Sequence, residues 1–198
     1  LPKGKTWDSY SIWSLPCNFW SYDSLLQNSV MGLNLQDIHQ DLPSGIVTVQ
    51  EGFLKSIPVP GAGDCYISGR FDILTRLDDG TYSVIDFKIT SPNEEQIRKF
   101  ATQLHAYKFA LENPAVGDPI KISRMGLISV TPDNIQHING NLVFTASPKW
   151  HPIEEDIENF YTLIREISTV LNGEIPSPSE TCTFCKYRKA VSIYEKGV

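Results

Sequence analysis

The chain is short of positive charge. Its 198 residues carry 17 Lys and Arg against 23 Asp and Glu, a formal net charge of −6. A module that held nucleic acid by phosphate neutralisation alone would be basic, so this balance argues against a passive DNA-binding role. It does not argue against an enzyme that gathers cations on acidic side chains, because bound metal restores positive charge locally. Cysteine is scarce as well, limited to Cys17, Cys65, Cys182 and Cys185. With no signal-peptide pattern in the first eight residues, this usage reads as intracellular and places metal or redox use of Cys182-Thr183-Phe184-Cys185 ahead of disulfides. No apolar run approaches the roughly 20 residues needed to cross a bilayer, so no membrane partner is expected. Internal repeats and low-complexity segments are absent. A chain of 198 residues, 41% hydrophobic and 20% charged, can build one domain with a real core and is too short to promise two.

What is present has a clear order. Residues 1–45 read as an aromatic-rich, mostly helical lead-in, with Trp7, Tyr10, Trp13, Phe19, Trp20 and Tyr22 recurring around Cys17. These aromatics fit core packing better than a base-stacking platform. Pro43-Ser44-Gly45 breaks the pattern, and β-branched residues then predict a strand over 46–57. After a loop at 58–63, strands are expected over 65–77 and 82–89. Asp78-Asp79-Gly80-Thr81 joins them as a hairpin, its glycine supplying the positive φ that such turns need. Ser91 as N-cap, Pro92 at the first helical position and Glu94 closing a capping box predict a helix. Ile97, Phe100, Ala101, Leu104, Tyr107 and Leu111 sustain it, and Asn113-Pro114 ends it. Further on, the pattern gives a strand over 120–130 closed by a turn at 131–134, a strand over 142–146 and an amphipathic helix over 154–171. A proline-bearing link at 175–180 leads to the cysteine pair. This order favours an α/β fold with a mixed central sheet flanked by helices.

The chemistry concentrates between residues 69 and 107. Val84, Asp86 and Lys88 alternate with Ile85, Phe87 and Ile89, so a period of two sends Asp86 and Lys88 to one face. Antiparallel pairing across the hairpin can bring Asp72 beside them. One helix later, Gln103 and Tyr107 are a turn apart and share a face. Two carboxylates can hold a hard divalent cation, and a neighbouring lysine can manage the charge of an attacking water. That is equipment for cutting a phosphodiester. An Asp-x-Lys triplet alone occurs by chance in many strands, so the ordered ensemble carries the reading. The basic residues Arg70, Arg76, Lys88, Arg98, Lys99 and Lys108 gather in the same region, most of them read as solvated surface.

Gly-x-x-Asp at 69–72, Asp-x-Lys at 86–88 and Gln-x-x-x-Tyr at 103–107, in that order, resemble the PD-(D/E)XK nuclease superfamily. The likeness is to its RecB-like branch, which includes helicase-associated nucleases and the nucleases of CRISPR spacer acquisition. It covers most of the chain and implies a single restriction-endonuclease-like domain over 1–198. The core would lie at 46–113, with a helical part at 1–45 and a C-terminal helix and cysteine-bearing tail at 153–198. The resemblance implies Asp72 and Asp86 as ligands of Mg²⁺ or Mn²⁺, with the Phe87 carbonyl as a third oxygen. It implies Lys88 as the group that activates water, and Gln103 and Tyr107 as residues that contact the DNA backbone or brace Lys88. Relatives carry a metal-binding histidine on a helix before the first strand, which maps to His39; Glu51 is the acidic alternative. Several relatives also hold an iron–sulfur cluster with one cysteine near the start and three near the end. Cys17, Cys182 and Cys185 match, but Val191 stands where the fourth is expected, so the set is one ligand short. The implied activity is that of a metal-dependent DNA exonuclease in repair, recombination or defence. It would act in the cytoplasm on single- or double-stranded DNA, with a helicase or another nucleic-acid-processing protein as partner.

Other classes stay open. A non-catalytic nucleic-acid-binding or complex-assembly subunit that keeps the fold fits the acidic charge and the missing cysteine. A structural zinc module on Cys182 and Cys185 is a third reading. His105 and His137 have no evident partners and read as surface, and Cys65 reads as buried.

Overall fold

The computed structural model describes residues 18–174, 177 and 179–191. Two helices, α1 (Asn18–Val30) and α2 (Leu35–Ile38), precede strands β1 (Ile46–Pro58), β2 (Tyr66–Arg76) and β3 (Tyr82–Lys88). Helix α3 (Glu94–Glu112) crosses to β4 (Ile122–Ser129). A hairpin of β5 (Pro132–Ile138) and β6 (Asn141–Ala146) follows, then β7 (Lys149–Ile153), α4 (Ile157–Asn172) and α5 (Thr183–Val191). The main sheet has the order β1-β2-β3-β4-β7, with β3 and β4 parallel and the other neighbours antiparallel. It is a mixed sheet flanked by helices, as the order of elements predicts. Among the described residues no helix is long and apolar enough to cross a membrane.

The sheet separates two apolar layers. On one side Leu54, Phe71, Leu74, Val84 and Leu127 pack against Leu104, Tyr107 and Leu111 of α3. On the other, Val47, Ile73, Ile85, Phe87 and Ile128 pack against Val30 and Leu35 of α1 and α2. A third cluster, with Val59, Ala62, Phe109 and Phe160, seats α4, and Cys65 packs against it. Each large side chain buried here contributes about 1.5–3 kcal/mol, which makes this layering the main force holding α3 across the strands.

Several local expectations are corrected. Helix α3 is capped by Asn93 rather than Ser91. The Asn93 side chain accepts from the Gln96 N–H, and Gln96 reciprocates to the Asn93 N–H. An Asn at N-cap serves as well as a Ser, and Glu94 becomes the first helical residue instead of the box partner. The turn expected at 131–134 is the start of strand β5, which pairs with β6 in a separate two-stranded sheet exposed along its whole length. Such a solvated ribbon has no buried face to write into its sequence. Strand β7, unforeseen, is five residues long and carries a proline. His105, expected at the surface, is buried, and its ring bridges the Ala101 carbonyl and the Asp156 N–H.

Candidate active site

The hairpin between β2 and β3 forms as its sequence predicts, with Gly80 at φ 81° and the Thr81 N–H held by Asp79. Its ladder runs from Arg76–Tyr82 to Ile73–Ile85 and stops there. The next step would match Asp72 with Asp86. At this point β2 also rolls over, since Phe71 and Ile73, two residues apart, enter the two opposite cores. Across β2, Gln50 and Gly52 of β1 pair with Ile73 and Phe71, which sets Glu51 level with Asp72. Glu51 takes a left-handed φ of 48°. The register therefore sets Glu51, Asp72 and Asp86 at one level on three adjacent strands, and the Asp86 charge reaches Asp72.

Asp86 is almost completely buried, at 2% exposure. Lys88, on the same face, places its Nζ 2.5 Å from Asp86 Oδ2, yet that oxygen has no aligned hydrogen-bond donor. The contact is nonetheless a tight ion pair, and Lys88 both attracts Asp86 by its charge and bonds its side chain. The Lys88 ammonium also lies 4.6 Å from the centre of the Phe100 ring on α3. Asp72 Oδ2 accepts the Phe87 N–H at 2.7 Å, which fixes its carboxylate against β3.

Burial and crowding shape the titration of these groups. Burial, then the nearby Asp86 charge, lifts Asp72 from 3.8 to about 7, against the pull of the Phe87 N–H. Burial also raises Asp86, with the Lys88 charge opposing it. Tyr107 is pushed up to about 12 by burial first, with Asp86 and Asp72 adding to the rise while the Gln103 side chain opposes it. Gln103 donates to the Tyr107 hydroxyl, so these two α3 side chains form a bonded pair that the carboxylates feel.

Helix α1 supplies what sequence reasoning missed. Asp23, Ser24 and Gln27 join Glu51, Arg70, Phe71 and Asp72 around a cavity of about 180 Å³. The Ser24 hydroxyl donates to Glu51 Oε1 at 3.0 Å. Burial raises the Asp23 carboxyl, while Lys88 and the Gln27 side chain lower it and Glu51 raises it, so Asp23 shares the field of the site. Gln27 is 1% exposed and its Oε1 has no partner among the described residues. The signal was present as an i, i+4 polar pair, Asp23 and Gln27, on the same helix as the core residues Leu26 and Val30.

Other expected residues lie elsewhere. His39 caps the C-terminus of α2 and lines a separate cavity of about 590 Å³ with Asp41, Lys149, Trp150 and His151. Its Nδ1 accepts the Asp41 N–H at 3.3 Å. Cys17 falls outside the described residues. Cys182 and Cys185 are neighbours at the start of α5, where the Cys185 N–H donates to Cys182 Sγ at 3.4 Å. That donor lowers the Cys182 thiol, and its neighbour in turn raises Cys185. Val191 ends the same helix.

The donors around Asp72 and Asp86 are oxygens, one of them a buried carboxylate oxygen lacking a directed donor, and several carboxylates face one lysine. Such a set fits a hard divalent cation. Among the described residues no group of three His, Cys, Asp or Glu side chains is placed to hold a metal ion together. Mg²⁺ does not ask for one, since one or two carboxylates with water and phosphate satisfy it.

A family model for the PD-(D/E)XK nuclease superfamily matches residues 23–190. Its first matched residue is Asp23. No curated protein matches. Matching solved structures include one titled "Crystal structure of SSO0001", 17% identical over 80% of this chain, with a TM-score of 0.44. The chain spans 63% of that protein's length.

Proposed function

The chain belongs to the PD-(D/E)XK nuclease superfamily, and from that premise we propose that it is a DNA nuclease of the RecB-like branch, acting as an exonuclease with Mg²⁺ or Mn²⁺. The observation that carries the reading is Asp86, buried at the parting of two strands with Lys88 2.5 Å away and Asp72 at the same level. Buried charge without aligned partners is costly in a structural role and useful in a catalytic one.

Asp72, Asp86 and the Phe87 carbonyl would hold the cation. When bound, it supplies Lewis acidity at the scissile phosphate and makes water easier to deprotonate. Lys88 then acts where negative charge develops, on the attacking hydroxide and the crowded phosphorane. Its position over Phe100 and beside Asp86 fixes the ammonium before substrate arrives. The Phe87 N–H orients Asp72. Tyr107, a neutral phenol whose ionisation burial pushes further up, would offer a hydroxyl that Gln103 holds in place toward the DNA backbone. His39 lines another cavity, which supports Asp23 or Glu51 as the residue that helps Asp72 and Asp86.

Purified protein incubated with labelled single- and double-stranded DNA and increasing Mn²⁺ should cleave only with metal, and Asp86→Ala or Lys88→Ala should remove cleavage while far-UV circular dichroism is unchanged. Full activity in either variant ends the assignment. Binding without cleavage in the wild type would instead support a non-catalytic assembly subunit, the reading that the net charge of −6 and the missing fourth cysteine favour. A cytoplasmic role in repair, recombination or defence beside a helicase follows from the same branch. The Cys182–Cys185 pair could serve an iron–sulfur or zinc site with Cys17, a point that metal analysis of untagged protein decides.

A further inference from the structure

Strands β1 and β2 continue well past the last β2–β3 pair. Between Gly52–Phe71 and Pro58–Tyr66 they form a ribbon beside which, among the described residues, only the 113–115 segment bonds, bridging Ser56 through Pro114 at the β1 edge. One face is apolar and covered: Leu54 and Ser56 are buried, and Ile67 packs on the core beneath α3. The other face is open. It presents Phe53 at 68% exposure, Tyr66 at 51% and Ile57 at 46%, with Lys55, Ser68 and Arg70 between them. Phe53 is cross-strand partner to Arg70 and Lys55 to Ser68, while the Lys55 ammonium lies 4.6 Å from the centre of the Tyr66 ring.

We propose that this face is a stacking platform for single-stranded DNA, and that the strand runs along it into the carboxylate row. The inference rests on the nuclease reading above and names its substrate class. Three observations support the occupant. First, aromatic and cationic side chains interleave, the arrangement that stacks bases and neutralises phosphates together. Second, the face is continuous with the site, because Arg70 also lines the cavity that holds Asp72, Asp23 and Glu51. Third, Phe53 stands in solvent and Tyr66 is half-exposed beside Lys55, so an unstacked base can lie against these rings, whereas a duplex keeps its base faces hidden. From Phe53 to the level of Tyr66 is five residues, on the order of 17 Å, room for several nucleotides. The overall charge of −6 agrees, since stacking asks for fewer cations than does the dense phosphate array of a duplex. A second copy of this chain pairing along β1 is opposed by Lys55 and by Asn113 and Ala115, whose backbone groups already bond Ile57 and Lys55 there.

The test is fluorescence anisotropy of labelled oligo-dT, oligo-U and a matched duplex with the full chain in chelator, where nothing is cut. Phe53→Ala combined with Tyr66→Ala should weaken oligo-dT binding by about ten-fold or more with an unchanged melting temperature. Lys55→Ala combined with Arg70→Ala should flatten the slope of log affinity against log salt by about 1.4. Wild-type affinity in the aromatic variant, tighter wild-type binding of the duplex, or tighter binding of oligo-U overturns the platform as stated. So does failure of the wild type to bind oligo-dT, including the case where it forms dimers that the aromatic variant disrupts. Cleavage with Mn²⁺ is scored separately. Loss of stacking with no metal-dependent cut in the wild type would sink the nuclease reading and leave the platform, whereas cutting that the aromatic variant matches, with unchanged binding, would do the reverse.

Discussion

Two lysines of this protein sit in carboxylate company and come to opposite ends. Lys108 on α3 is buried, and its ammonium donates to the Ile122 carbonyl and to Glu112, with Glu155 at 3.5 Å. Glu112 in turn accepts the Ile122 N–H, so both members of the Lys108–Glu112 pair have directed backbone partners. Lys88 is more exposed and faces Asp86 closely, yet the Asp86 oxygen it approaches has no aligned donor. The first arrangement ties α3 to β4 and is complete without anything else. The second is left open toward whatever binds. Burial and pairing alone do not tell a structural charge from a functional one, so the two lysines have to be compared by what their loss does.

The largest effects should therefore fall on different observables. Lys88→Ala is expected to reduce metal-dependent cleavage by about 10²-fold or more, as loss of a preorganised transition-state partner does, with the melting temperature nearly unchanged. Lys108→Ala should lose about 3 kcal/mol of stability, toward the lower end for a broken buried pair because Glu112 is partly exposed. In a chain of this size that is roughly 6–12 °C in calorimetry. Its folded fraction should cut DNA normally. If Lys88→Ala proves as destabilising as Lys108→Ala, the contrast between the two lysines is lost.

A second comparison sets Asp23 against His39. Asp23 feels Lys88 and Glu51, while His39 belongs to another cavity. Asp23→Asn should lower the cleavage rate about ten-fold, the size of effect expected from a group that tunes metal ligands. His39→Ala should leave the rate within experimental error. A reversed pattern in steady-state assays would return the histidine to the site.

These cases show what could be read from residues alone. Period-two alternation and an Asp-Asp-Gly-Thr turn determine which face Asp86 and Lys88 take and how β2 meets β3, so the heart of the site was legible. The roll of β2 at Asp72 was not, because it follows from Phe71 and Ile73 entering different cores, a tertiary choice. Nor was the arrival of Asp23. A polar i, i+4 pair on a short helix is common, and only the packing of Leu26 and Val30 on the sheet turns it toward the carboxylates. Strand β5 escaped for the opposite reason: with both faces in water it carries no burial pattern to detect, although its partner β6 was read over 142–146.

The crowding at Asp72 gives a smaller effect with a definite sign. Its folded pKa, about 7, lies above the 3.8 of an unperturbed carboxyl. Protonated Asp72 thus favours the folded state, and that contribution is whole below about pH 4 and lost as pH rises through 7. Asp72→Asn cannot ionise and still offers the Phe87 N–H an acceptor. With metal chelated, the variant should melt above the wild type at pH 8 and level with it near pH 4. Adding Mn²⁺ should stabilise the wild type and not the variant. A variant that melts lower at every pH would mean that the Asp72 charge is already compensated without metal.

Glu51 offers the finest separation between a strained site and a relaxed core. A left-handed φ of 48° on a non-glycine residue costs about 1–2 kcal/mol. Glycine removes that cost but brings about 0.5–1 kcal/mol of extra chain entropy in the unfolded state. Glu51→Gly also deletes the Ser24 contact, an exposed bond that adds little. The difference leaves a gain of about 0.5–1 kcal/mol, measurable by denaturant midpoint at constant slope. Cleavage should fall at the same time, because one carboxylate of the row is gone. Stability that rises as activity falls would mark Glu51 as held in its conformation at a cost to the fold. Stability that falls along with activity would mean that the Ser24 bond and the neighbouring strands favour that backbone after all, and the strain would not be a property of the site.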